Sequence, residues 1–184
     1  MIRLDYKHTS CGISESEITA LAPAAEKANA LLHNGQGAGN DFLGWVNLPS
    51  SISAEEIAAI LTTAGRLAAK AEVVIVIGIG GSYLGAKAVL DAMSSSFHFL
   101  HRERKNPYIL FAGNNLSETY TAELLEAVKD YSIAAIVISK SGTTTEPAVA
   151  FRLIKAEIEA RYGKEEAKER IASVTDAERG ALKT

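Results

Sequence analysis

The sequence predicts an α/β fold built on a parallel sheet, and three observations carry that prediction. Aliphatic, β-branched runs recur at 73–77, 108–112, 133–138 and 171–174, helix-length segments separate them, and the loops after the first and third runs are rich in glycine and hydroxyl residues. A run such as Val73-Val74-Ile75-Val76-Ile77 has no polar face, which is what a strand buried on both sides requires. Strand, helix, strand repeated along the chain is the pattern of right-handed parallel crossovers, and such sheets bind ligands beyond the carboxyl ends of their strands.

Ahead of the first strand, Ser14 to Glu17 and Ser53 to Glu56 each read Ser-x-x-Glu before apolar residues at helical spacing. This is the capping-box signature, in which the serine accepts from an orphan amide and the glutamate reaches back. Helices are predicted near 14–33 and 53–70. Between them Gly35, Gly37, Gly39, Asn40 and Pro49 interrupt regularity. Phe42, Leu43, Trp45, Val46 and Leu48 are apolar enough to pack, so this loop is expected to tuck against the domain. Further helices are expected near 83–93, 117–129 and 146–161, between the strands. Residues 1–70 are thus expected to form a helical extension packed on a domain at 71–184. After Val174-Thr175-Asp176 the sequence stops at Ala181-Leu182-Lys183-Thr184, in what reads as the first turns of another helix, so a longer chain is expected.

At 184 residues, 47% hydrophobic and 22% charged, the chain has the composition of one soluble globular domain with appendages. A net charge of −3 provides no global positive field for nucleic acid. The basic run His101-Arg102-Glu103-Arg104-Lys105 reads as a solvated loop. The aliphatic runs fall far short of the roughly 20 residues that cross a bilayer, so no membrane role is expected. A lone cysteine, Cys11, forms no internal disulfide, and no apolar signal core follows the start, which points to the cytoplasm. Cys11 also lacks a neighbouring base and is expected to be inert. His98 and His101 have no further ligands at metal-like spacing, while His8 and His33 are isolated. No metal and no cofactor are expected.

Two loops carry the chemistry. The first, Gly78-Ile79-Gly80-Gly81-Ser82-Tyr83-Leu84-Gly85, joins a strand to a helix start, where glycines let free amides approach an anion. A dinucleotide fingerprint fails because Tyr83 stands where glycine is needed, and a P-loop fails because Ala86 stands where lysine is needed. A tight turn that only packs helix on strand is the alternative. The second loop, Ser139-Lys140-Ser141-Gly142-Thr143-Thr144-Thr145, puts five hydroxyls, one ammonium and one glycine into seven positions before Glu146 and Pro147. Pro147 suits a first helical turn. Hydroxyl donors at a helix start suit phosphate oxygens, although a capping turn that binds only water has the same composition. Both loops lie at one edge of the predicted sheet and are expected to converge on one anion. Thr175 lies outside this cluster and is not expected to contribute to it. No Gly-x-Ser-x-Gly elbow surrounds Ser82 or Ser141.

The segments Val76 to Gly85 and Ile138 to Pro147 resemble the two phosphate-loop signatures of the glucose-6-phosphate isomerase family in its bacterial form. Trp45 to Pro49, Val174-Thr175-Asp176 and Gly180 to Thr184 are similar to that family as well. The resemblance implies a sugar isomerase (SIS) domain, a flavodoxin-like three-layer fold with a five-stranded parallel sheet flanked by helices on both faces. Four of those strands are legible here. It implies glucose 6-phosphate and fructose 6-phosphate as ligands, and a homodimer or higher homo-oligomer for the full-length enzyme. By motif position, Gly81 and Ser82 of the first loop and Ser139, Ser141, Thr143 and Thr144 of the second would contact the phosphate. Lys140 would contribute mainly its amide, and Glu146 would support a histidine at the reacting end of the sugar. The family's proton-moving glutamate, with its arginine, histidine and lysine, belongs to motifs downstream of Thr184, so this chain alone is expected to be inactive. A non-catalytic module that senses phosphosugars is the second reading, and a nucleotide-binding domain the third.

Overall fold

A computed structural model describes residues 5, 8, 12–100, 105–176 and 180–183. Cys11, His101 to Arg104 and Thr184, with the expectations made for them, lie outside the described residues. The chain divides into two compact units, residues 1–57 and 58–184.

In the first unit, α1 (Glu15–Ala20) and α2 (Ala22–His33) occupy the predicted 14–33 stretch. The Ser14 capping box forms, with Ser14 N–H donating to Glu17 Oε2 (2.7 Å) and Glu17 N–H donating to Ser14 Oγ (3.3 Å). The single predicted helix is interrupted at Leu21, because Pro23 has no N–H to continue the ladder. A 3-10 turn at Asn40–Phe42 and the short α3 (Leu48–Ser51) follow. Phe42, Trp45 and Leu48 of this stretch are exposed.

The helix α4 (Ala54–Lys70) carries the second serine cap: Ser53 Oγ accepts from Glu56 N–H at 3.0 Å. Here Glu55 is the glutamate bonded to the Ser53 side chain.

Strands β1 (Val73–Ile77), β2 (Tyr108–Ala112), β3 (Ile133–Ile138) and β4 (Ile171–Val174) occupy the predicted runs. They form a parallel sheet in the order β2-β1-β3-β4, with Ile77 level with Ala112 and Val137, and Ile138 level with Val174. Every residue of β1 is buried, which explains why its sequence shows no alternation. The pleat nevertheless sorts its side chains. Val73, Ile75 and Ile77 join Ile133, Ala135 and Val137 in one cluster, closed by Leu124 and Val128 from α6 (Glu118–Ala127) and the turn after it, and by Ala150, Ile154 and Ile158 from α7 (Thr145–Arg170). Val74 and Ala134 point the other way and meet Leu67 of α4 and Ala71. On that side α5 (Leu84–Met93) begins beside β2, with Tyr83 and Phe111 ring centroids 5.7 Å apart. The expected α/β fold with helices on both faces is thus the observed one.

The predicted 146–161 helix runs further than expected. Gly163, at φ 78° and ψ 162°, leaves helical geometry, and a second helical piece continues to Arg170. Among the described residues no helix is long and apolar enough to cross a membrane, and no group of three or more His, Cys, Asp or Glu could hold a metal ion.

Candidate anion-binding site

Because β1 and β3 are neighbours in a parallel sheet, the loops that leave them emerge side by side at its carboxyl edge. Gly78 permits the close approach. A Cβ there would stand 3.0 Å from Ser82 Cβ and 3.3 Å from the Ile138 carbonyl oxygen. Gly80 then takes a left-handed φ of 57°, which an L side chain avoids. The chain closes a 3-10 turn at Gly80–Ser82, with Ser82 N–H donating to Ile79 O at 3.1 Å. The start of α5 has no side-chain cap.

The second loop is built more tightly. Ser139 is only 6% exposed; its N–H donates to Val174 O at 3.0 Å and its Oγ accepts from Gly142 N–H at 3.1 Å. Ser141 Oγ accepts from both the N–H (3.2 Å) and the hydroxyl (2.9 Å) of Thr143. With its lone pairs so engaged, the Ser141 hydroxyl proton is the group left to donate. Thr144 is the N-cap of α7 and makes no side-chain cap bond. Pro147 brings no amide, so Thr145 and Glu146 N–H are the backbone donors at that helix start. Such a terminus carries partial positive charge, and an anion placed there is stabilised by it.

An open cleft of about 700 Å³ lies between the two loops. It brings together Ser82, Ser139, Lys140, Ser141 and Thr144, with Ile79, Ile138 and Pro147 as apolar walls and Asp176 and Gly180 entering from beyond β4. Of the residues named from sequence, Gly81, Thr143 and Glu146 do not line it. Thr143 acts on it through Ser141, and Glu146 sits half-buried in the first turn of α7. Sequence reasoning missed the residues after β4. Thr175, expected to stand apart from the cluster, donates its hydroxyl to Lys140 O at 3.3 Å. The available signal was the parallel partner of β3, since whatever follows β4 must leave the sheet beside the loop that follows β3. Another cavity, of about 520 Å³, opens at the amino edge of the sheet among Phe99, Lys105, Tyr108 and Tyr131. It has aromatic walls and lacks the paired helix starts that suit a phosphate group.

A family model described as phosphoglucose isomerase matches residues 56–181. The curated relatives include a glucose-6-phosphate isomerase of Parabacteroides distasonis, 55% identical over 94% of this chain and 38% of that protein. A second, from Clostridium novyi, is 49% identical over 100% of this chain and 41% of that protein. The chain thus spans about two fifths of the length of the curated relatives it matches. Among solved structures, a hypothetical protein from Thermus thermophilus has the same fold, with a TM-score of 0.72 at 24% identity over 99% of this chain and 40% of that one. A glucose-6-phosphate isomerase from Chlamydia trachomatis aligns at a TM-score of 0.56 and 29% identity over 72% of this chain and 24% of that one.

Proposed function

This chain belongs to the phosphoglucose isomerase family, and on that premise we propose that it forms the phosphate-anchoring part of an enzyme interconverting glucose 6-phosphate and fructose 6-phosphate. The observation that carries the reading is the cleft, where two sequence-distant loops at neighbouring strand ends bring Ser82, Ser139, Ser141 and Thr144 to one space beside the start of α7. A phosphate dianion satisfies those donors, with Lys140 contributing mainly its amide. Ser82, Ser139, Ser141 and Thr144 are the direct contacts in this reading, and Thr143 orients Ser141. The isomerisation moves a proton between C1 and C2 of the opened sugar through an enediol. Phosphate is remote from those carbons, so energy from its binding goes into orienting the reacting end. Glu146 would support that end from the first turn of α7.

Proton transfer needs a base with a pKa near the working pH, within hydrogen-bond reach of the carbon-bound proton. Among the described residues that line the cleft, Asp176 is the one carboxylate. Its N–H is bonded to Lys140 O of the phosphate-binding loop, so in this reading it stands at the anchored end of the substrate. The chain alone is therefore read as an anchor that does not turn substrate over. The SIS-type domain at 71–184 with its 1–70 extension, the cytoplasmic setting and a homo-oligomeric whole enzyme belong to the same reading, on the strength of the family. Titration of the 15N-labelled chain with 6-phosphogluconate tests it. Saturable shifts are expected at the amides of Ser82, Ser141, Thr145 and Glu146, and saturation that leaves these four unmoved overturns the assignment.

A further inference from the structure

The loop that carries the hydroxyl cluster is held by more than its own strand. Two described stretches beyond β4, 175–176 and 180–182, also meet it. Asp176 N–H donates to Lys140 O at 3.4 Å, Thr175 Oγ1 donates to the same oxygen at 3.3 Å, and Ala181 N–H donates to Ser141 O at 3.1 Å. The fit is close on both sides. A Cβ at Gly142 would stand 2.7 Å from Ala181 N and 2.8 Å from Leu182 N, and one at Gly180 would stand 3.1 Å from Ser141 O. Both glycines have positive φ, 70° and 121°.

We propose, resting on the anion-site reading above, that Thr175, Asp176 and Gly180 to Leu182 form a strap that sets the orientation of the anion loop, with Thr175 as a positioning residue. The reason lies in peptide geometry. In a planar trans peptide the carbonyl and the N–H point in opposite directions. Holding Lys140 O on the strap turns the N–H of Ser141 away from it, to where a ligand can accept the bond. The next peptide is fixed from both ends, because Ser141 O is bonded to Ala181 and Gly142 N–H to Ser139 Oγ. Thr175 therefore acts on the ligand through a backbone it touches, without touching the ligand.

Thr175→Val keeps the shape and β-branching of the side chain and removes its donor, whereas Thr175→Ser keeps the donor and removes the methyl. Calorimetric titration of the 184-residue chain with 6-phosphogluconate should find Thr175→Val roughly three- to tenfold weaker than wild type, the cost of one lost hydrogen bond. Thr175→Ser should bind within about twofold of wild type, since its hydrogen bond is kept. A packing role for Thr175 would reverse that order. A measurement on the wild type alone guards against a variant that fails to fold. Coupling between strap and ligand is reciprocal, so 6-phosphogluconate should slow hydrogen exchange at the Ala181 amide. Equal binding by wild type and Thr175→Val, or Ala181 exchange indifferent to a bound ligand, overturns the strap and leaves the anion site standing. Absence of binding by the wild type overturns both.

Discussion

Ser141 holds a position that its neighbours have prepared. Thr143 donates to its oxygen twice, so the Ser141 proton is directed outward, and removing the two residues has unequal consequences. Ser141→Ala should weaken 6-phosphogluconate binding by about 1.5–3 kcal/mol, the value of a hydrogen bond to a charged group. Thr143→Val should cost only about 0.5–1.5 kcal/mol, because it removes a neutral bond that orients the donor. Calorimetry on both variants checks the order, and equal losses would mean that Thr143 touches the ligand itself. The density of hydroxyls made this cluster legible in the sequence. The division of labour within it was not legible, since composition cannot say which hydroxyl faces the cleft and which faces a neighbour. Thr175 was missed for the same reason: its bond to Lys140 O spans 35 positions and leaves no local pattern.

Gly113 is hemmed in by its neighbours. It has φ 75°, and a Cβ there would stand 2.9 Å from Pro147 Cα and 3.0 Å from Ile77 Cγ2. The end of β2 is thereby pressed against the first turn of α7 and the end of β1. Gly113→Ala should destabilise the chain by roughly 2–5 kcal/mol, combining left-handed strain with overpacking. Urea denaturation measures it, and a loss below about 1 kcal/mol would contradict the close packing.

At the scale of elements, the strands were the most legible part, because a segment buried on both faces must be aliphatic throughout and β-branched residues suit it. Helix ends were less legible. Pro23 divides the first predicted helix, and Gly163 divides α7 into two pieces that the charged stretch from Lys164 to Arg170 gave no reason to expect. Arg161 stands near that break. It bonds Glu157 at 2.6 Å and reaches the carbonyls of Val128, Lys129 and Tyr131, tying the end of α6 and the turn into β3 to α7. Arg161→Ala should cost about 1–3 kcal/mol of stability, and lysine should not restore it, because one ammonium cannot reproduce the guanidinium fork.

The amino edge of the sheet also carries a pH dependence. Bonds from the Ser132 amide, first, and then from its hydroxyl hold the Glu72 carboxyl below its ordinary 4.5. The Lys70 ammonium, as hydrogen-bond donor, does the same for Glu166. A carboxyl with a depressed folded pKa binds protons more readily in the unfolded chain. Its contribution is therefore complete above 4.5 and fades as pH falls through the folded value. Glu72→Gln should flatten the acid limb of a stability profile below the ordinary 4.5 while changing little of its slope at neutral pH. An unchanged acid limb would mean that the Glu72–Ser132 link is not kept in solution.

On the proposed reading the whole chain anchors a substrate whose proton other residues of the enzyme move. In a coupled assay the 184-residue chain should show no isomerisation of glucose 6-phosphate above background, even at concentrations that saturate the cleft. Turnover abolished by a substitution within the chain would place the base among these residues and overturn the anchor reading. The sequence conveyed this much at molecular scale because the fold class follows from the order of its runs, and a parallel sheet dictates which loops can meet. It did not convey how far each of the two compact units extends, because the division at residues 57 and 58 falls within α4, a helix without a break in its pattern.

The bonds between the anion loop and the residues beyond β4 have a consequence for the order in which the protein is made. β1, β2 and β3 and the hydroxyl-rich turn after β3 all leave the ribosome before β4 does. Until Val174, Thr175 and Ala181 have followed, Ser139 N–H and the carbonyls of Lys140 and Ser141 lack the partners that fix them. A chain that ended at Arg170 would hold the hydroxyls of the cluster in an unfinished loop, and on the anion-site reading phosphate should begin to protect it only once Leu182 has left the ribosome.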